Sequence, residues 1–149
     1  MLVDKYGSEL ESKSLSKPIK EIEGIGPKYT EKLKNIGINT VQNLLDKGCA
    51  RTGRKDLAEK TGISETLILE WVNMADLFRI EGIGEEYSDL LEEAGVDTVV
   101  ELSKRIPENL HAKLKEVNEQ KKLVRQLPSL DMVKRWIETA KKLPRKVEY

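Results

Sequence analysis

Ile22-Glu23-Gly24-Ile25-Gly26 recurs as Ile80-Glu81-Gly82-Ile83-Gly84, 58 residues further along the chain. The echo continues outward at the same spacing: Gly37 and Thr40 follow the first copy, Gly95 and Thr98 the second. Glycines, aliphatics and a helix-capping residue that recur together in register mark the duplication of a structural unit. Each glycine turn stops one helix and leads into another.

The flanking residues fit helices. Pro18 opens a short one through Ile19 and Ile22, since proline at a first helical position gives up only an amide that would be unpaired anyway. Pro27 starts the next, with Tyr29, Leu33 and Ile36 on one apolar face. Thr40 is placed to cap a third that buries Val41, Leu44 and Leu45. The second copy repeats the pattern with Tyr87, Leu90 or Leu91, Ala94, Val99 and Leu102, and Thr98 and Glu101 have capping-box spacing. Gly48 and Gly53 bracket a polar loop, Cys49 to Thr52, ahead of a helix with Leu57 and Ala58. Ser64 caps a helix whose Leu67, Ile68, Trp71, Val72 and Ala75 form one buried stripe that runs on to Ile80. In the second unit Pro107 opens a helix through Leu110, Leu114 and Val117, and Ser129 caps the last, with Met132, Val133, Trp136, Ile137 and Ala140. Trp71 and Trp136 are 65 apart, so the second unit has gained about seven residues, placed around Gln120 to Leu127.

The expected architecture is all-α: two duplicated units over 18–79 and 80–144 that share the segment from Ser64 to Ile80. A flexible arm is expected over 1–17, where serines alternate with charges, and a tail over 145–149. Composition agrees, because 35% charged and 5% aromatic residues suit short amphipathic helices better than strands. A net charge of +0 gives the whole molecule no attraction for polyanions, so any nucleic-acid surface must be a local patch. With Cys49 the single cysteine and His111 the single histidine, an intrachain disulfide and a Cys/His zinc cluster are excluded. There is no signal-peptide core, no apolar run approaching ~18 residues and no Walker-type glycine loop. A cytoplasmic protein with no cofactor and no membrane partner is expected.

The string Ile22-Glu-Gly-Ile-Gly-Pro-Lys-Tyr-Thr-Glu-Lys-Leu33, followed by Gly37-Ile-Asn-Thr40 and Leu44-Leu45, resembles the helix-hairpin-helix motif of DNA repair and replication proteins. The tandem arrangement, with Gly53-Arg-Lys-Asp-Leu-Ala-Glu-Lys-Thr-Gly-Ile-Ser64 and Trp71-Val-Asn-Met-Ala-Asp-Leu77, is similar to an uncharacterised prokaryotic family classed as a domain of unknown function. The resemblance spans roughly 18 to 144 and implies two helix-hairpin-helix units of the SAM-like type, each with two additional helices.

It also implies a chemistry. In such hairpins the turn presents backbone amides at a helix N-terminus, where a phosphate is received, and cations on the following helix add to it. On that pattern Gly24, Ile25 and Gly26 form the turn, and Lys28 and Lys32 lie one helical turn apart after it. The second copy departs: Glu86 and Leu90 stand at the lysine positions, among Glu85, Asp89, Glu92 and Glu93. From Arg79 to Glu101 one basic residue faces eight acidic ones, which repels a phosphate backbone. From Lys104 to Lys146 thirteen basic residues outnumber five acidic ones, so acidic hairpin and basic helices can neutralise one another within or between molecules.

The expected function is non-catalytic, sequence-independent binding of duplex or single-stranded DNA through the first hairpin, with Gly24, Ile25, Gly26, Lys28 and Lys32 as the site. The alternative is a protein-interaction or self-association module using Glu85, Glu86, Asp89, Glu92 and Glu93. For the glycine turn itself, helix packing without any ligand is the competing reading. Leu57-Ala-Glu-Lys-Thr-Gly-Ile-Ser64 has helix-turn-helix spacing, but the helix after it is nearly without cations, which favours packing. Trp71 and Trp136 read as core rather than base-stacking residues. His111 reads as a boundary histidine, Cys49 lacks a base near it in sequence, and the carboxylates of the second copy match no calcium-loop spacing, so neither a catalytic nor a metal site is expected.

Overall fold

The computed structural model describes residues 12–149. Among them the fold is all-α: eight helices, no strand, and one isolated bridge between Pro18 and Thr40. In chain order the helices are α1 Pro27–Lys34, α2 Val41–Gly48, α3 Arg51–Thr61, α4 Glu65–Leu77, α5 Glu85–Glu93, α6 Val99–Ser103, α7 Pro107–Lys121 and α8 Leu130–Lys142. Short 3-10 turns at Lys13–Ser16 and Ile19–Glu21 precede them.

Local chemistry sets most boundaries. Thr40 caps α2 reciprocally: its hydroxyl accepts from the Asn43 amide at 3.1 Å, while Asn43 Oδ1 accepts from the Thr40 amide at 3.2 Å. Thr98 accepts from the Glu101 amide at 3.3 Å at the start of α6, and Ser64 and Ser129 cap α4 and α8 in the same way. Pro27 and Pro107 occupy first turns. Gly62, in left-handed conformation, ends α3.

The buried side chains form two clusters. In the first, α2 packs on α3 and α4, and α3 on α4; in the second, α6 and α7 pack on α8, and α5 on α7. Helix α4 belongs to both, with Ile68, Trp71 and Val72 in the first cluster and Leu77 in the second. Where it leads into the second hairpin it carries an ion pair that is almost wholly desolvated: Arg79 Nη1 to Asp76 Oδ1 at 2.9 Å, side chains 1% and 2% exposed. The second oxygen of Asp76 accepts from the Val99 amide at 2.8 Å, and Arg79 Nη2 donates to the Pro144 carbonyl at 2.8 Å. One carboxylate and one guanidinium thus tie α4, the first turn of α6 and the chain after α8 together.

Two segments differ from the sequence expectation. The arm expected over 1–17 lies outside the described residues up to 11, and its last part is packed: Leu15 joins the first cluster and the Lys17 carbonyl accepts from the Val41 amide at 2.9 Å. The loop expected from Cys49 to Thr52 shrinks to Cys49 and Ala50, because α3 starts at Arg51. Gly53 makes that possible, since a Cβ there would collide with the Lys47 carbonyl and α3 could not approach the end of α2. Within the tail expected over 145–149, Val147 is 2% exposed and belongs to the first cluster.

Candidate functional site

The first turn is built on a tryptophan. Gly24 has φ +93, a backbone conformation that favours glycine, and a Cβ on it would stand 3.4 Å from Nε1 of Trp71. Trp71 is 1% exposed, with Tyr29 edge-on at a ring separation of 5.0 Å. Ile25 points into the core, and its amide donates to the Ile22 carbonyl at 3.1 Å, so that donor is spent inside the turn. Gly26 caps α1 with no side-chain hydrogen bond, and Pro27 has no N–H. The amides of Gly26, Lys28 and Tyr29 are left without a partner inside the helix, as first-turn amides are. No acidic residue lies in the first turn, and Lys28 and Lys32 are both exposed.

The second turn has the same frame and different surroundings. Gly82 has φ +91, and its Cβ would stand 3.2 Å from Nε1 of Trp136, itself 3% exposed and paired with Tyr87 at 5.3 Å. Gly84 caps α5, also without a side-chain bond, but Glu85 and Glu86 occupy the first turn. The connection between α7 and α8 folds over this end: Gln126 offers its carbonyl to the Tyr87 hydroxyl at 3.0 Å, and Arg125 reaches Glu86 at 3.3 Å. Lys121 pairs with Glu93. Basic residues downstream of α5 thus neutralise two of its carboxylates within the same molecule. Lys17, Glu21 and the start of α5 line a cleft of about 610 Å³ with Arg125 and Gln126.

The remaining carboxylates crowd one another across the two turns. Burial, followed by contact with Glu21 and the fields of Glu21, Glu23 and Glu86, holds Glu85 above the usual carboxylate range. Asp89 is raised by burial, then Glu23 and Glu93, and Glu92 by burial, then Glu93 and Asp89. Asp89, Glu92 and Glu93 bring one oxygen each within 4.8 Å of the others. Their mutual field is the same repulsion that would turn a phosphate away.

Comparison with known proteins bears on this frame. A family model matches residues 23–143, from the first glycine turn to the end of the last helix. The chain belongs to the DUF4332 family. The family is described as a domain of unknown function, so membership assigns no activity. No curated protein and no solved structure matches the chain.

Other sequence candidates in this DUF4332 chain fall into structural places. The helix that would read DNA in a helix-turn-helix is α4: its start, Glu65 and Thr66, is exposed but carries no cation, and its residues 71–77 are all buried. Arg54, ahead of the helix-turn-helix stretch, is 4% exposed and donates to the Gly48 and Cys49 carbonyls at 2.8 and 3.0 Å. His111 lies 3.0 Å from the Pro128 carbonyl, and Cys49 Sγ is directed to the Asp46 carbonyl at 3.6 Å. Lys17, Glu21 and Arg125 were missed by sequence reasoning. Their neighbours at the second turn are 39 to 67 residues away, and nothing in their local sequence marks that contact. Asp76 and Arg79 had a usable signal: opposite charges three apart inside an apolar run from Trp71 to Ile80.

Proposed function

We propose that this DUF4332 chain is a tandem pair of helix-hairpin-helix units, over 18–79 and 80–144, and that it is a non-catalytic cytoplasmic protein that binds DNA through the first hairpin without regard to sequence. Among the described residues no helix is long and apolar enough to cross a membrane. The observation that carries the reading is the start of α1, which has no side-chain cap and no first-turn acid, with Lys28 and Lys32 exposed beside it. A DNA phosphate takes the amides of Gly26, Lys28 and Tyr29 at the positive end of the helix dipole. Gly24 lets the chain turn onto Trp71, Ile25 anchors the turn from below, and Lys28 and Lys32 neutralise the backbone on either side. The second hairpin, with carboxylates in its first turn and a loop folded over it, packs rather than binds.

With about three phosphate contacts, log K falls with log salt at a slope of about −3. Lys28→Glu with Lys32→Glu is expected to abolish retention of duplex and single-stranded DNA in a low-salt mobility-shift assay. Unchanged retention sinks the site assignment.

A second reading draws on the crowding of Glu85, Asp89 and Glu92, whose mutual repulsion a basic surface on a protein partner would relieve. It predicts salt-sensitive association without DNA retention, and it loses Glu86 and Glu93 to the intramolecular pairs with Arg125 and Lys121.

A further inference from the structure

Beyond α8 the chain leaves the second cluster and straps itself across the first. The Leu143 side chain is buried among the second cluster, and the Pro144 carbonyl is held by Nη2 of Arg79 at 2.8 Å. Only Arg145 and Lys146 then separate this root from Val147, which is buried in the first cluster. The Glu148 amide donates to the Cys49 carbonyl at 2.8 Å, and the Glu148 carbonyl accepts from Nη2 of Arg54. Lys146 pairs with Asp46 at 3.3 Å, and the Tyr149 hydroxyl lies 3.4 Å from Asn73 Oδ1.

The seat is a built one. Nη1 of the buried Arg54 is fixed by the carbonyls that end α2, where the helix dipole is negative, so Nη2 is left to read the strap's main chain. One donor, one acceptor and one apolar pocket in a row are what an extended segment needs for recognition. Two opposing facts govern how the seat behaves. The strap is held by one buried side chain, two main-chain hydrogen bonds and exposed polar contacts, so it opens far more easily than a packed helix. An empty seat, by contrast, strands a donor of a buried guanidinium and opens an apolar pocket, which disfavours a state with the strap merely released. Both penalties vanish when an identical segment takes the place, and the one segment whose fit to the seat is on view is the chain's own.

We propose that residues 145–149 exchange between copies, so that the groove formed by α2, α3 and α4 is a homotypic docking site for the strap of a second copy of this chain. Reciprocal exchange closes a two-fold dimer in which every strap contact is preserved. The seat uses none of the residues of the phosphate reading, so the two proposals stand or fall separately.

The single native cysteine gives a direct test. The wild-type chain offers a thiol at Cys49 alone. A size-tagged chain carrying Cys49→Ser and Glu148→Cys offers one on the strap alone. Residues 49 and 148 are joined by a main-chain hydrogen bond of 2.8 Å, and a disulfide between them needs Cα atoms about 4.4–6.8 Å apart. The two full-length chains are mixed at high concentration, oxidised with copper–phenanthroline and run on a non-reducing gel. Exchange predicts a disulfide-linked heterodimer that increases with concentration. Adding Val147→Asp to the strap chain should lower its yield at least ~10-fold, the effect of losing the anchor on a logarithmic affinity scale. If circular dichroism shows that the Val147→Asp chain has lost its helices, Val147→Ala becomes the readout and the yield must still fall. No heterodimer, or a yield that ignores the change at Val147, overturns the proposal.

Discussion

Asp76→Ala probes the junction at which the two clusters share α4. The substitution removes the oxygen that accepts from Arg79 Nη1 at 2.9 Å and the one that accepts from the Val99 amide at 2.8 Å. Arg79, 0% exposed, then loses this carboxylate while staying buried, and the first turn of α6 loses its acceptor. Removing one partner of a buried ion pair costs about 3–5 kcal/mol. A stranded amide costs about 1–3 kcal/mol on its own, but the same carboxylate serves both donors and the two figures overlap. The expected loss is about 4 kcal/mol, which for a urea m-value of about 2 kcal/mol per molar lowers the unfolding midpoint by about 2 M. Fluorescence is a suitable probe, since Trp71 reports on the first cluster and Trp136 on the second. Both signals should move together, because α4 and the Asp76–Arg79 pair belong to both halves. A loss below about 1 kcal/mol, the scale of an exposed pair, would refute the idea that a desolvated ion pair closes the junction.

Three further outcomes separate packing from binding. Gly24→Ala forces a side chain into a φ of +93 above Trp71 and should cost about 1–2 kcal/mol in thermal unfolding. Gly26→Ala, with φ −82 and nothing within 4 Å of a Cβ, should change stability by less than about 0.5 kcal/mol yet weaken DNA retention by holding the phosphate off, so the two measurements must diverge. Gly53→Ala should cost about 3 kcal/mol in urea unfolding, because the new Cβ meets the Lys47 carbonyl and α3 must back away from α2. The fourth concerns pH. Glu85, Asp89 and Glu92 have folded-state values raised above the ordinary 4.5 and 3.8, so the folded chain binds more protons than the unfolded one in that window. Their contribution is present below the ordinary values and is lost as pH rises through the raised ones. Glu85→Gln with Asp89→Asn should therefore raise the melting temperature at neutral pH and flatten its fall between mildly acid and neutral pH; an unchanged slope would show that these groups do not set it.

Much of the helical frame was legible because its causes are local. Apolar spacing placed Trp71 and Trp136 in cores, Thr40 and Thr98 declared their caps, and prolines opened α1 and α7. Gly53 was misread because glycine marks a turn and a close helix approach with the same letter, and only the position of the Lys47 carbonyl separates the two. Leu15 and Val147 were read as parts of an arm and a tail because a lone aliphatic in a polar stretch has no period, and its burial depends on a pocket formed elsewhere.

The candidate site divides along the same line. Charge identity is written in the chain: lysines follow the first glycine turn and glutamates the second, and like charges repel phosphate wherever the fold places them. What the sequence could not contain is which groups stand opposite each turn. Trp71 and Trp136 come to lie beneath Gly24 and Gly82, Ile25 turns its amide inward, and Arg125 and Gln126 close over α5 while Lys28 and Lys32 stay exposed. Those are contacts between residues far apart in the chain, decided by how two clusters share one buried helix. The sequence by itself determined the helices and the sign of each turn's charge, since both arise within a few residues; only the tertiary structure decided which turn remains open.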